Sequence, residues 1–295
     1  MRTATAAKTE GFRNLLSDLW VRNRFGCIEF NADPRNEKIV DATIDLVLAY
    51  SFNIASFKAL GPEGVNALRH IITFIQGRTP FLPIMLGGEH TDIENKEAYA
   101  YEVFDSYGVD AVSAVSSSLG AETLNPFLAR PDKGIFILCR TSNFWADRLV
   151  YIDTDELQSL LPDEKLNTRF PNATGGPSDK PAYLVPLYQL VVLYASHMWN
   201  NHHNCGLAAD ATPQKLMAIR RIAPEMPILV TVTDGLNGNL KETVKAGMNK
   251  FKQGIIVNVP SNVIAPPSEP DFARAARTNV QRLTKAINEY RAAES

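Results

Sequence analysis

The chain has 295 residues, 45% of them hydrophobic, enough for one large or two ordinary domains around a substantial core. Thirty Lys and Arg against 32 Asp and Glu leave a formal charge of −2, which excludes a field strong enough to draw nucleic acid or an acidic membrane and leaves a small molecule as the expected partner. Cys27, Cys139 and Cys205 are widely separated, each inside or beside an apolar run, so they imply no disulfide framework.

The N-terminal MRTATAAKTEGFRNLL lacks the continuous apolar run of a signal peptide, and the longest apolar stretch, LVPLYQLVVLYA, is interrupted and too short to span a bilayer. A soluble, cytoplasmic protein is expected. Strands are expected at GCIEFN (26–31), YSFNIA (50–55), PFLPIML (80–86), AVSAVS (111–116), GIFILC (134–139), GLAADA (206–211), ILVTVT (228–233) and GIIVNV (254–259). Between them run segments of helical period: EKIVDATIDLVLA, GPEGVNALRHIITFIQ, NKEAYAYEVFDSY, PLYQLVVLYASHMW, TPQKLMAIRRIA and LKETVKAGMNKF. Thr212 and Pro213 read as an N-cap and first-turn proline, and FARAARTNVQRLTKAINEYR forms a C-terminal helix within 268–295.

Alternation of this kind predicts parallel βαβ units. The fold class is α/β, and eight strands fit a closed (β/α)8 TIM barrel of ~250 residues plus one insertion better than an open sheet. The barrel is expected to be a single domain spanning 1–295, with the insertion at 144–182. There NTRFPNATGGPSDKP has turn chemistry and little apolar content. So long a loop reads as a lid or as disordered, and after the fifth strand it stands at the C-terminal face, where barrel enzymes build their sites.

Six segments, in order, carry a family likeness: ALGPEGVNAL, DIENKEAYAYEVFDSYGVDAVS, ETLNPFL, KGIFILCRTSN, GLAADATPQKLMAIRRIAPEMPIL and GIIVNV. From about Phe25 to about Ala265 the chain resembles the bacterial-type branch of orotidine 5′-monophosphate decarboxylases. The resemblance implies a Lys near the end of the second strand and an Asp-x-Lys-x-x-Asp run after the third. Here those positions read Ser51 and Gly87-Gly88-Glu89-His90-Thr91-Asp92, so only Asp92 survives. The family's phosphate-gripping Gln and Arg correspond to Leu236 and Ser261, Asp234 adds a repelling charge, and the first-strand Asp that meets the ribose is Asn31. The Asn-Pro-Tyr of the fourth strand gives way to Val115-Ser116-Ser117-Ser118, whereas Arg140-Thr141-Ser142-Asn143, which in the family faces the pyrimidine, persists. Losing the cation where a carbanion must form removes several kcal/mol of stabilisation, so the ancestral decarboxylation is not expected.

Glu89, His90 and Asp92 are the candidate catalytic residues, because two carboxylates and an imidazole at a barrel strand end suit general acid and base work. The competing reading makes the carboxylates structural ion pairs with His90 turned outward. Asn31, Ser51, Asn53, Ser116, Thr141, Ser142, Asn143, Asp210, Thr233, Asp234 and Asn258 are the candidate substrate contacts, with Phe144 and Trp145 either closing over a planar ligand or packing on the rim. His197, His202, His203 and Cys205 lack a metal-ligand spacing and fall on the bottom face, so no metal is expected there. GGP (175–177) and GLNGN (235–239) match no phosphate or dinucleotide loop, and no cofactor is expected.

The expected function is a repurposed decarboxylase-like enzyme catalysing a lyase, cyclisation or isomerisation step on a non-phosphorylated small molecule, as in specialised metabolism. A non-catalytic binding or regulatory protein and a retained pyrimidine-nucleotide decarboxylase are the alternatives. Because the family contributes the last Asp of its run across a subunit interface, the surviving Asp92 implies a homodimer joined at the open barrel ends.

Overall fold

Short β-branched runs between helical segments close on themselves in the computed structural model, which describes residues 11–87, 95–116, 120–141, 147–153, 173–175, 181–233 and 239–293. Eight parallel strands form the barrel: β1 (Gly26–Phe30), β2 (Ala49–Asn53), β3 (Ile84–Gly87), β4 (Ala111–Ser116), β5 (Gly134–Arg140), β9 (Cys205–Ala209), β10 (Ile228–Thr231) and β11 (Ile255–Pro260). They pair in chain order, and β1 meets β11 to close the ring. The helices are α1 (Phe12–Val21), α2 (Asn36–Thr43), α3 (Ile54–Lys58), α4 (Gly61–Arg78), α5 (Lys96–Tyr101), α6 (Gly120–Leu128), α7 (Leu187–His197), α8 (Pro213–Ile222), α9 (Leu240–Gly247), α10 (Ser261–Ile264) and α11 (Phe272–Ala292). No helix among the described residues is long and apolar enough to cross a membrane.

All eight expected strands are present, with shifted ends that have local causes. β2 stops at Asn53 because that side chain turns back to accept from the Ala55 amide at 3.2 Å and caps α3. The expected 13-residue helix after β1 ends at Thr43, since Val47 and Leu48 feed β2. The helix after β3 begins as α5 and widens into a π turn over Glu102–Ser106. Thr212 is the N-cap of α8 and Pro213 occupies its first turn, as expected, although the exposed Thr212 side chain makes no capping bond.

The short helices α3, α6 and α10 went unread in the sequence, as did α1 and a small sheet in the insertion. α1 closes the N-terminal end of the barrel: Phe12 stacks edge-on to Phe136 with ring centres 5.8 Å apart, and the Trp20 indole donates to the Ile255 carbonyl at 2.9 Å. Gly134 makes room for it, as a Cβ there would lie 2.3 Å from the Phe12 ring. The insertion also holds β6 (Leu149–Asp153), β7 (Ala173–Gly175) and β8 (Pro181–Pro186), an antiparallel sheet in the order β6-β8-β7. Turn chemistry is therefore only part of that segment. Ile152 and Val185 are buried while Leu149 is exposed, the period-two pattern of a sheet with one face packed.

Candidate active site

Period two along the barrel strands sends alternate side chains outward to the helices and inward to the barrel. Phe30, Phe52 and Phe57 stack on the outside, so Glu29 and Ser51 face the interior at one level. Ser51 is the register partner of Glu29. At the C-terminal strand ends this pattern lines a cavity of about 430 Å³ with polar walls of Glu29, Ser51, Asn53, Ser113, Arg140, Thr141, Asp210, Thr231, Thr233 and Asn258 over a floor of Leu138, Ala208, Ala209 and Leu229. A hollow of about 410 Å³ lies between α2 and α4, outside the barrel, walled partly by Phe57, Leu60 and Ile71.

Six of the expected substrate contacts therefore meet: Ser51, Asn53, Thr141, Asp210, Thr233 and Asn258. Asn31 does not join them. It is exposed on the β1–α2 loop, where its carbonyl accepts from Asn36 Nδ2 at 2.8 Å. Ser116 is also absent from the wall, because a register shift between Val112 and Val115 breaks the alternation on which that expectation rested, and Ser113 stands in the wall instead. Glu89, His90, Asp92, Ser142, Asn143 and Asp234 lie outside the described residues, as do Phe144, Trp145 and Leu236.

Two charged features escaped the sequence reading. Glu29 receives a hydrogen bond from Asn258 Nδ2 at 2.7 Å, and the same amide nitrogen lies 3.4 Å from Thr231 Oγ1. Asp147 bridges Arg140 and Lys215: the guanidinium donates from Nε at 3.3 Å and Nη2 at 3.1 Å, and the Lys215 ammonium contacts the second carboxylate oxygen. Hydrogen bonds from Arg140 and then Lys215 hold the Asp147 carboxyl below the usual carboxylate range. Arg140 also donates to the Asp210 carbonyl, tying β5 to the end of β9. A lone charge between Ile28 and Phe30 was the available signal for Glu29; the Asp147 bridge spans three segments and left none.

Thiol chemistry is disfavoured. Burial pushes the Cys139 and Cys205 thiols up to about 12 and Cys27 well above the ordinary value, the Glu29 charge adding to the last. His202 and His203 are exposed turn residues, and among the described residues no three His, Cys, Asp or Glu side chains group as metal ligands.

No family model matches the chain. Curated relatives do. An orotidine 5′-phosphate decarboxylase of Cupriavidus necator is 32% identical over 299 residues, covering 95% of this chain and 98% of the relative. That of Roseiflexus castenholzii is 38% identical over 252 residues, covering 85% and 81%.

The chain belongs to the orotidine 5′-phosphate decarboxylase family.

Among solved structures, the Leishmania donovani OMP decarboxylase matches with a TM-score of 0.71 at 25% identity, over 96% of this chain and 99% of that one. A Streptomyces avermitilis structure at 16% identity, TM-score 0.68, shares the fold. Ser51 and Gly87, which the resemblance sets at the family's lysine and first acidic positions, both line the cavity, Ser51 being buried in the wall. A Cβ at Gly87 would lie 2.9 Å from Ser113 Oγ and 3.7 Å from Ser51 Oγ, so Ser113 crowds any side chain placed there.

Proposed function

We propose that this family member is an enzyme whose barrel mouth carries out an acid–base step, of the lyase, cyclisation or isomerisation kind, on a non-phosphorylated small molecule. Ser51 is the observation that carries the reading. It stands in the cavity wall at the family's lysine position, beside Glu29 rather than beside a cation. Decarboxylation leaves electron density on carbon, and an anionic wall raises that barrier instead of lowering it. The two cations near the mouth, Arg140 and Lys215, are both engaged by Asp147.

Ser261, buried beyond β11 at the expected phosphate-binding arginine position, gives no charge to hold a phosphate. Glu89, His90 and Asp92 remain the proposed proton-transfer groups, and the surviving Asp92 is the ground for proposing a homodimer. Orotidine 5′-monophosphate, followed by ultraviolet absorbance with the purified full chain, tests the reading. No turnover is the expected result.

A second reading, retained decarboxylation of a pyrimidine nucleotide, is favoured by the 31% to 38% identity to relatives that bear that name. Consumption of orotidine 5′-monophosphate at a rate typical of enzymes, about 1 s⁻¹ or faster, would establish it and overturn the first. Ligand binding without any turnover would leave the protein a binding member of the family.

A further inference from the structure

Two acceptors in the cavity wall are left without the partners their chemistry calls for. Glu29 takes its hydrogen bond from Asn258 Nδ2 and forms no ion pair among the described residues. Asn258 is 4% exposed, and its Oδ1 is buried with no hydrogen-bond donor among the described residues. Buried polar groups are ordinarily paired, and a charge facing a partly apolar cavity calls for a counter-charge. Arg140 and Lys215 pair with Asp147, and neither forms an ion pair with Glu29.

Ser51, the register partner of Glu29, has a side chain several atoms shorter than the lysine the family carries there. The space in front of Ser51 and Glu29 is open cavity. We infer that this space takes the ammonium of an amine substrate, seated against the Glu29 carboxylate. The inference rests on the proposed turn away from nucleotide chemistry and names its substrate class. A neutral hydroxyl in the same place would leave the Glu29 charge uncompensated, which selects the amine over the alcohol. Asn258 is a positioning residue: its Nδ2 fixes the carboxylate that meets the ligand.

The test is saturation-transfer NMR on the full chain with matched pairs, D-glucosamine against D-glucose and putrescine against 1,4-butanediol, with uridine 5′-monophosphate as the anionic probe. The amine of at least one pair should bind about 10-fold or more tightly than its alcohol, as a charge-assisted hydrogen bond requires. Glu29→Gln, nearly isosteric and checked for folding by its melting temperature, should erase that preference. Ser51→Lys should also abolish amine binding while Glu29 stays in place, because the chain then brings its own ammonium. Equal binding of both members of each pair, a preference that survives Glu29→Gln, or no amine signal at about 10 mM overturns the inference. Uridine 5′-monophosphate binding together with orotidine 5′-monophosphate turnover would sink the proposed function as well, whereas absence of both with no amine binding sinks the amine inference alone.

Discussion

Asp147 shows how a single side chain outside the strands sets the state of the mouth. It pairs with Arg140 and Lys215 at once, one carboxylate between two cations, and Asp147→Asn would leave the 8% exposed Arg140 side chain without its carboxylate. The expected cost is about 1–2 kcal/mol at pH 7, below that of a fully buried pair because Asp147 and Lys215 keep contact with solvent. The pH dependence has a defined sign. A carboxyl depressed in the folded state contributes stability above its unfolded value of about 3.9, and that contribution is lost as pH falls through the folded value. Urea denaturation of wild type and Asp147→Asn from neutral to acid pH should therefore show a gap that narrows below about pH 4; a constant gap would contradict the bridge. None of this was legible beforehand, because the partners come from β5, the start of the insertion and α8. Glu29 was nearer to legible: in CIEF it shares the parity of Cys27, and once a closed barrel is accepted, that parity points inward.

Elements were read more surely than side chains, since β-branched runs of four to seven residues bounded by helical period announce themselves in the sequence. What failed were ends set by local bonds, as at Asn53, and elements whose partners are distant. α1 was missed because its amphipathic face, Phe12, Leu16, Leu19 and Trp20, has a purpose only when the bottom of a barrel exists to receive it. The bottom of the barrel is held in a similarly non-local way by Arg220 of α8. Its guanidinium donates to the carbonyls of Ala223, Met226, Gly247 and Gly254 at 3.1, 2.7, 3.0 and 2.9 Å and also reaches Pro224. Burial lowers its pKa to about 10, still well above neutrality, so the group works as a cation. Arg220→Met should orphan these acceptors and destabilise the chain by about 3 kcal/mol in chemical denaturation. Arg220→Lys should recover little, because an ammonium cannot span a planar fan of carbonyls. Full recovery by Lys would reduce the role of Arg220 to its charge.

At the scale of the molecule, the barrel class was recoverable from alternation and length, while the chemistry of its mouth was not, since the fold fixes where a cavity opens and the strand-end residues fix what enters it. The proposed homodimer belongs to this scale. Two-fold pairing is the commonest assembly, and Leu60, 60% exposed, follows β2 and α3 at the end of the barrel where the partner would dock. Sedimentation velocity at micromolar concentration should give twice the chain mass, and Asp92→Arg should shift the boundary toward monomer. A wild-type boundary at the single-chain mass would remove the ground on which Asp92 was assigned a partner.

The hydrogen bond from Asn258 to Glu29 joins residues 229 positions apart, across the seam where β11 closes against β1. During synthesis at roughly 5–20 residues per second, Glu29 therefore waits on the order of ten to fifty seconds before its partner strand leaves the ribosome. For that interval β1 is an unpaired edge with a carboxylate on its inward face, a charge of the kind that discourages edge-to-edge association. The residue inferred to receive the substrate is thus also the charge that the open edge presents until the ring can close.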